Sequence, residues 1–374
     1  MRKDLSLYIH IPFCKTICLY CNFLTFAHKN KWIPEYIDSV CKEIQERGKN
    51  YKNSEIETIF FGGGTPSLIE PEFIQKIIEA IKASFSVKKD LEISIECNPE
   101  SVDMRRLEIY QQSGITRFSL GVQTLNAKTL QRVARPHDSQ AILDALELFK
   151  KAGIRNFSTD FIMGLPDQDL ASFQYEIERI LSYDPAHLSS YFLSYDTKKI
   201  DLFIQECPQE EEQIAMYEWL CRRLKKSRFV HYEVSNWAHP GYECEHNKRY
   251  WQQKDYLGIG IGAHSIVDNL MWENQKDFDG YLQNPMKIEN EHPIDADLKR
   301  MEYLMLSLRT NKGIEIEKYA KLGDTKELLK NAKAFLKSGD LKKSSSGSGS
   351  TEKNFLTATE KGFLILNKIT EKLI

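Results

Sequence analysis

The sequence of 374 residues lacks an excess of charge of one sign, a long apolar run and a recognisable export signal. Lys and Arg number 51 against 53 Asp and Glu, so no net field favours a polyanion and we expect no nucleic-acid partner. No apolar stretch approaches the roughly 20 residues that span a bilayer, and the apolar run near the N-terminus is too short for a signal-peptide core. We therefore expect a cytoplasmic protein without stable membrane insertion.

Eight cysteines without an export signal argue against a disulfide framework and towards metal ligands or reactive thiols. Three of them, Cys14, Cys18 and Cys21, fall within eight residues. The scattered ones are Cys41, Cys97, Cys207, Cys221 and Cys244. Among these, Cys41 and Cys221 lie on stretches with helical periodicity and are predicted to be core residues.

The first half of the chain repeats a short β-branched or aromatic run, a loop and then a helical period, which is typical of βαβ units around a parallel sheet. The predicted strands are Leu7–Ile11, Glu57–Phe61, Leu91–Ile95, Arg117–Leu120, Phe157–Ile162 and His187–Phe192. Helical spacing of apolar residues covers 33–44, 74–81, 142–149 and Glu210–Lys226. This series favours an α/β fold with an open or incomplete (β/α) barrel over a two-domain dinucleotide-binding protein.

Composition divides the rest of the chain. Residues 1–239 carry the barrel pattern, and residues 240–294 are rich in Gly and aromatic residues without a clear helical or strand period. We interpret that second region as a functional loop region. Residues 295–374 turn helical and resemble a small winged-helix-like domain.

The spacing C-x3-C-x2-C at Cys14, Cys18 and Cys21 suits three irons of a cubane cluster and leaves the fourth iron without a cysteine from this motif. A structural zinc site is the alternative, but it normally takes four ligands, often as two Cys-x2-Cys pairs. No second pair exists in this sequence. Zinc binding and unligated thiols stay open at this point.

Six segments in order carry a family resemblance. They are Tyr8-Ile-His-Ile-Pro-Phe-Cys14, Phe60-Phe-Gly-Gly-Gly-Thr-Pro-Ser67, Ser94-Ile-Glu-Cys-Asn-Pro99, Ser119-Leu-Gly-Val-Gln-Thr124, Arg135-Pro-His137 and Thr159-Asp-Phe-Ile-Met-Gly-Leu-Pro166. With the cysteine motif they resemble the radical SAM superfamily and, over most of the chain, its oxygen-independent coproporphyrinogen III oxidase group. The resemblance implies a [4Fe–4S] cluster whose open iron binds S-adenosylmethionine, which the cluster cleaves to a 5′-deoxyadenosyl radical.

The nucleotide site is predicted partly from chemistry and partly from this resemblance. Glycines after a strand let backbone groups approach a ligand, although a glycine triplet also makes an ordinary tight turn. Glu96 and Asp160 end predicted strands, where barrel enzymes place binding groups, although each alone suits a solvated loop acid. The resemblance implies S-adenosylmethionine contacts from Tyr8, Gly63, Gly64, Thr65, Glu96, Gln123, Arg135 and Asp160.

Two features distinguish branches of the group. Coproporphyrinogen dehydrogenases carry a further cysteine two positions after the third ligand, where this sequence has Phe23. The element His246-Asn-Lys-Arg-Tyr-Trp251 and the run Gly258–Ser265 are similar to those of the haem chaperone branch. That resemblance implies binding of haem, its transfer to a haem-accepting protein, an electron donor for the cluster and no coproporphyrinogen dehydrogenase activity. Radical-dependent oxidative decarboxylation of coproporphyrinogen III is the alternative, and no catalytic residue is assigned.

His246 is the candidate haem ligand, because an imidazole on a flexible aromatic segment can donate to haem iron while Tyr250 and Trp251 cover the porphyrin. The alternative is a surface histidine whose aromatic neighbours only pack the loop. Cys244 is a weaker ligand candidate, and His264 suits either a ligand or a structural hydrogen-bonding residue.

Overall fold

The computed structural model describes residues 3–194, 201, 203–346 and 353–374. The strands are β1 (Lys3–Ile11), β2 (Ser54–Gly63), β3 (Ser86–Cys97), β4 (Arg117–Gln123), β5 (Phe157–Met163), β6 (His187–Phe192), β7 (Val230–Glu233), β8 (Asn236–Ala238), β9 (Tyr256–Ile259), β10 (His264–Val267), β11 (Leu270–Asn274), β12 (Ile288–Pro293), β13 (Ile314–Glu315), β14 (Leu341–Ser346) and β15 (Lys353–Ala358). The helices are α1 (Ile33–Asn50), α2 (Pro71–Ser84), α3 (Met104–Ser113), α4 (Ala127–Arg132), α5 (Ser139–Lys151), α6 (Leu170–Leu181), α7 (Glu210–Lys226), α8 (Glu245–Trp251), α9 (Phe278–Gln283), α10 (Ala296–Leu308), α11 (Ile316–Tyr319), α12 (Thr325–Ser338), α13 (Glu360–Phe363) and α14 (Leu366–Leu373).

Two compact units share the chain, and each is made of two separate segments. Unit 1 contains Met1–Tyr217 and Asp255–His292, and unit 2 contains Glu218–Lys254 and Pro293–Ile374. The division into regions 1–239, 240–294 and 295–374, which rests on composition, stays a prediction.

Six parallel strands dominate unit 1. Strands β1 to β6 pair in chain order, and every pair among them is parallel. A helix follows each of the first five strands, as a parallel connection requires. All six predicted strands and the predicted helices lie within these elements, so the prediction of an incomplete (β/α) barrel is confirmed.

The two faces of this sheet differ in chemistry. In β1, Leu5, Leu7 and Ile9 are fully buried and alternate with Ser6, Tyr8 and His10 on the other face. The apolar face takes the crossover helices, whose buried residues recur at helical spacing, such as Tyr36, Ile37, Val40 and Ile44 of α1. The other face collects polar side chains that line the candidate site.

The segment after Asp255 extends the sheet, so its interpretation as a loop region was wrong. Strand β9 pairs parallel to β1, and β10 and β11 continue the sheet as an antiparallel pair. Gly260 has φ +103°, and a Cβ atom there would lie 2.7 Å from the His10 carbonyl oxygen. The glycines therefore serve close packing. Strands β9, β10 and β11 are only four or five residues long, and β9 contains Gly258, so their period is hard to detect in the sequence.

Buried polar contacts fix this segment to α1. The Glu43 carboxylate accepts hydrogen bonds from the Tyr281 hydroxyl at 2.7 Å, the Asn274 amide at 2.7 Å and the Gly260 N–H at 2.9 Å. Burial raises the pKa of Glu43, and Arg47 and these donors oppose that shift. Glu43 thus has the hydrogen bonds that a buried carboxylate needs.

Unit 2 combines helices with two small antiparallel arrangements. Strands β7 and β8 form a hairpin, and the second sheet has the order β13-β15-β14 with antiparallel pairs. Helices α10, α12 and α14 pack with this sheet or with each other, in agreement with the winged-helix-like prediction. Within the described residues, no helix is both long and apolar enough to cross a bilayer.

Candidate functional site

The three clustered cysteines lie on the loop that follows β1, here called the cluster loop (Cys14–Cys21). Cys14 and Cys18 are each 8% exposed, and Cys21 is half-buried. The backbone shapes the loop, because the Cys14 N–H donates to the Phe26 carbonyl at 3.1 Å and the Cys21 N–H donates to the Cys18 carbonyl at 3.1 Å. The loop thus keeps three thiols together and mostly away from water.

Two observations test whether these thiols suit iron–sulfur ligation. Among the described residues, the ligand atoms of the three cysteines do not form a group within 4.8 Å of one another, as a single ion would require. A cubane places its cysteines on three different irons and so keeps the sulfurs further apart. Burial raises the pKa of the Cys14 thiol to about 11, so a bound cation is needed to hold it as a thiolate near neutral pH. The donor set fits a multi-iron cluster better than zinc.

The glycine run after β2 lies against the cluster loop. The Thr65 hydroxyl is 3.6 Å from the Cys14 Sγ, and the Thr65 N–H donates to the Phe13 carbonyl at 2.9 Å. A Cβ atom on Gly64 would lie 2.7 Å from the Phe13 oxygen and 3.0 Å from the Cys14 Sγ. Glycine is required here because the two backbones approach each other, and Gly64 and Thr65 lie directly beside a predicted cluster ligand.

Gly63 allows the backbone to pass close to the side chain of His10. Its φ is +112°, and a Cβ atom there would lie 2.5 Å from the ring of His10. The Gly63 N–H donates to the Glu96 carboxylate at 3.2 Å. The space beside Gly63 is therefore filled by the protein, and a direct ligand contact from this residue stays a prediction.

Glu96 and Asp160 lie on neighbouring parts of the polar face and affect each other. Desolvation, together with the charge of Asp160, raises the pKa of Glu96 to about 7, and the Gly63 N–H opposes the shift. Burial also raises the pKa of Asp160, which the Ser119 hydroxyl at 2.7 Å and the Ser158 hydroxyl at 2.8 Å counteract as donors. Both acids thus lie inside the sheet rather than on solvated loops. Two such carboxylates attract a cationic or hydroxyl-rich ligand.

Tyr8 stands beside this pair. Its ring stacks on Phe60 with centroids 6.3 Å apart, and its hydroxyl lies 3.1 Å from the His10 Nδ1. Burial, with the charge of Glu96 added, raises the pKa of Tyr8, so the phenol stays neutral and can donate or accept.

Arg135 brings a buried cation to the same region. Its Nη2 donates to the Gly121 carbonyl at 2.8 Å and to the Asn98 side chain at 3.1 Å, and its Nη1 is 3.8 Å from the Cys18 Sγ. Its Nε is buried without a hydrogen-bond partner among the described residues. A buried donor of this kind fits an anionic ligand group such as a carboxylate.

Gln123 completes the predicted set at a bulge in β4. Its φ is 67°, an uncommon conformation for a residue other than glycine, and the β4–β5 register shifts between Gly121 and Gln123. A Cβ atom on Gly121 would lie 3.1 Å from both the Gln123 amide nitrogen and an Arg135 nitrogen. The structure thus places Gln123 and Arg135 side by side.

Sequence reasoning missed several polar neighbours. His10 holds the segment just after the cluster loop, because its Nε2 donates to the Leu24 carbonyl at 2.9 Å. Asn98 orients Arg135, and Ser119 and Ser158 hold Asp160. Their signal was the period-2 alternation of polar residues along successive strands, such as Tyr8 and His10 in β1.

The motif predicted to bind haem lies in unit 2 on a helix, so its description as a flexible loop was wrong. His246 belongs to α8 and is 1% exposed, which also excludes the alternative of a surface histidine. Its Nε2 lies 2.8 Å from the Tyr250 hydroxyl, one helical turn away. Burial lowers the pKa of His246 to about 3, so the ring is neutral at physiological pH.

The two other ligand candidates differ in accessibility. Cys244 is 1% exposed and precedes α8, where its N–H donates to the Tyr232 hydroxyl at 3.3 Å. His264 lies on β10 in unit 1, and its exposed ring forms an ion pair of 3.1 Å with Glu273 when protonated.

A cavity of about 290 Å³ borders α8 within unit 2. Its aromatic lining is Tyr232, Trp251, Tyr303 and Phe355, and its charged lining is Lys248, Lys312 and Lys318 with Glu243 and Glu315. The Trp251 Nε1 is buried without a hydrogen-bond partner among the described residues. Aromatic walls, cations and an unused donor together suit an apolar ligand that carries acidic groups.

Comparison with known proteins agrees with this arrangement. The model of the radical SAM superfamily matches residues 8–180. A protein of Synechocystis sp. named haem chaperone HemW is 35% identical over 82% of this chain and 78% of its own length, and one of Buchnera aphidicola subsp. Schizaphis graminum with the same name is 33% identical over 98% and 97%. This chain belongs to the HemW family of radical SAM proteins.

A further HemW relative and a solved structure agree with this assignment. The haem chaperone HemW of Escherichia coli is 34% identical over 82% of this chain and 82% of its own length. The solved structure of coproporphyrinogen III oxidase (HemN) from Escherichia coli, a radical SAM enzyme, superposes with a TM-score of 0.84 at 22% identity over all of this chain and 90% of that one. That likeness supports the fold. Family membership implies a [4Fe–4S] cluster and S-adenosylmethionine, for which the cluster loop and the polar face supply suitable groups.

Proposed function

We propose that this protein binds haem and passes it to a haem-accepting protein in the cytoplasm, on a scaffold that holds a [4Fe–4S] cluster and S-adenosylmethionine. The observation that carries the proposal is the helix α8 with the H-N-x-x-Y-W sequence beside a cavity of aromatic and basic residues. The relatives named haem chaperone HemW support it, since they cover most of the chain.

In this proposal, Cys14, Cys18 and Cys21 hold the cluster. When bound, the cluster supplies an electron to S-adenosylmethionine, and an external electron donor must in turn reduce the cluster. The Thr65 hydroxyl and the Arg135 guanidinium, 3.6 Å and 3.8 Å from cysteine sulfurs, stabilise negative charge on the thiolates.

The polar face holds the nucleotide. Glu96 and Asp160 accept hydrogen bonds from its ammonium group or ribose hydroxyls, and the buried Nε of Arg135 donates to its carboxylate. Tyr8, Gln123 and the glycine run surround these groups. The ammonium and carboxylate groups of S-adenosylmethionine thus meet protein groups of opposite charge.

His246 is the proposed haem ligand. Its neutral imidazole can donate a lone pair to iron once the Tyr250 hydroxyl releases Nε2, so binding requires the Tyr250 side chain to move and the buried ring to become accessible. Trp251 offers a ring face and an indole N–H, and the lysines of the cavity match the acidic groups of haem.

The test is anaerobic reconstitution of the full chain with iron and sulfide, followed by incubation with haem and, separately, with coproporphyrinogen III under reducing conditions. We expect a haem Soret band and no decarboxylated tetrapyrrole. Decarboxylation without haem binding would overturn the proposal in favour of an oxidative decarboxylase.

A further inference from the structure

A second group of metal-ligand side chains lies in unit 2, far along the chain from the cluster loop. The thiol of Cys221, a ring nitrogen of His231 and a carboxylate oxygen of Glu360 all lie within 4.8 Å of one another. They come from α7, β7 and α13, which are three separate elements. Among the described residues, no other group of three or more such side chains is this close together.

We propose that Cys221, His231 and Glu360 bind one Zn²⁺ ion. Sulfur, imidazole and carboxylate ligands together suit zinc, whereas calcium and magnesium prefer oxygen ligands throughout. Three protein ligands leave a fourth tetrahedral position for water. The proposal does not depend on haem or S-adenosylmethionine binding.

The three residues differ in how far they are exposed to solvent. Cys221 is 3% exposed, His231 is half-buried and Glu360 is exposed. The ion therefore has a path of entry from the side of Glu360. Zinc ligands lie about 2.0–2.3 Å from the metal, so donor atoms within 4.8 Å of one another can surround one ion, and the exposed Glu360 side chain can adjust by rotation.

The imidazole is held in a suitable orientation. Its Nε2 lies 3.3 Å from the Val234 carbonyl oxygen, which can only accept, so the lone pair of the neutral ring lies on Nδ1. A ligating histidine typically donates its other N–H to a carbonyl in this way. The ring also stacks on Trp237 with centroids 4.2 Å apart and an interplanar angle of 14°.

Glu360 is tied to the same histidine through its own short helix. Phe363, at the other end of α13, contacts the His231 ring edge-on with centroids 5.0 Å apart. The helix starts at a defined position, because the Thr359 side chain accepts a hydrogen bond from the Gly362 N–H at 3.1 Å. A bound ion would join the helix, the β7–β8 hairpin and α7 within unit 2.

The experiment uses Co²⁺ as a spectroscopic substitute for Zn²⁺ in the full chain with Cys14, Cys18 and Cys21 replaced by Ala, so that the cluster loop binds no cobalt. We expect one Co²⁺ per chain, a thiolate-to-cobalt charge-transfer band and its loss on addition of Zn²⁺. Absence of that band would overturn the proposal.

Variants in the same background assign the ligands. Cys221→Ser should remove the charge-transfer band, and Glu360→Gln should raise the Co²⁺ dissociation constant by about ten-fold or more. The matched controls are Cys244→Ser, a buried cysteine of the same unit, and Glu371→Gln, an exposed acid of α14. Both controls should bind as the parent does. A charge-transfer band that survives Cys221→Ser, or an unchanged Co²⁺ dissociation constant in Glu360→Gln, would contradict the site.

Discussion

The guanidinium of Arg135 lies 3.8 Å from the Sγ of Cys18, although the two residues are 117 positions apart in the chain. The same guanidinium donates to the Gly121 carbonyl at the end of the parallel sheet. It therefore joins the cluster loop to the polar face, and its buried Nε points to a ligand that carries a negative charge.

Arg135→Gln should weaken S-adenosylmethionine binding by about 10–100-fold, because a charged hydrogen bond contributes about 1.5–3 kcal/mol. Calorimetric titration of the reconstituted protein measures this. The matched control is Arg132→Gln, whose side chain is partly exposed and pairs with Glu206. Equal affinities in the Arg135 variant and the unmodified protein would show that the nucleotide lies elsewhere.

Cys18→Ala should prevent assembly of a stable four-iron cluster, because it removes one of three thiolates that no other cysteine is placed to replace. Iron and sulfide analysis after anaerobic reconstitution gives the stoichiometry. Cys41→Ala is the control, since that buried thiol lies on α1 and should leave the cluster unchanged. Four irons per chain in the Cys18 variant would refute the ligand assignment.

The pKa of Glu96, about 7, predicts how nucleotide binding depends on pH. The ammonium group of the ligand favours the ionised carboxylate, so binding displaces a proton from Glu96 below about pH 7. Affinity should therefore fall as the pH is lowered, by roughly ten-fold or more between pH 7 and pH 5.5. Glu96→Gln should bind more weakly and lose most of this dependence. A Glu96→Gln profile as steep as that of the unmodified protein would exclude Glu96 as the titrating group.

The strands of the barrel could be predicted because each is a short run with β-branched or aromatic residues in a repeating series of strands and helices, as for Leu7–Ile11, which lies within β1. The cysteine spacing likewise indicated the cluster loop. The contacts around the cluster loop could not be predicted, because His10 and Asn98 reach their partners only through the pairing of strands that are far apart in the sequence. Helix α8 was missed because its seven residues are mostly polar and too few to show a period. The sequence also could not predict that each unit consists of two separate segments, because only tertiary contacts bring those segments together.

Tyr250→Phe should increase haem affinity by roughly five-fold, because the hydroxyl 2.8 Å from the His246 Nε2 must be released before iron binds. A hydrogen bond of this kind contributes about 1 kcal/mol. Haem titration followed by absorbance measures the effect, with Tyr242→Phe, a partly exposed tyrosine of the same unit, as the control. A clear loss of affinity in the Tyr250 variant would instead make the phenol a ligand.

The most direct test of haem binding through α8 is a haem titration of reconstituted His246→Ala, with the Soret band and the iron–sulfur absorption followed in the same samples. His264→Ala and Cys244→Ala are the controls. The account predicts that only the His246 variant loses or shifts the Soret band and that all three keep the iron–sulfur spectrum. A Soret band and haem affinity unchanged in His246→Ala would contradict it.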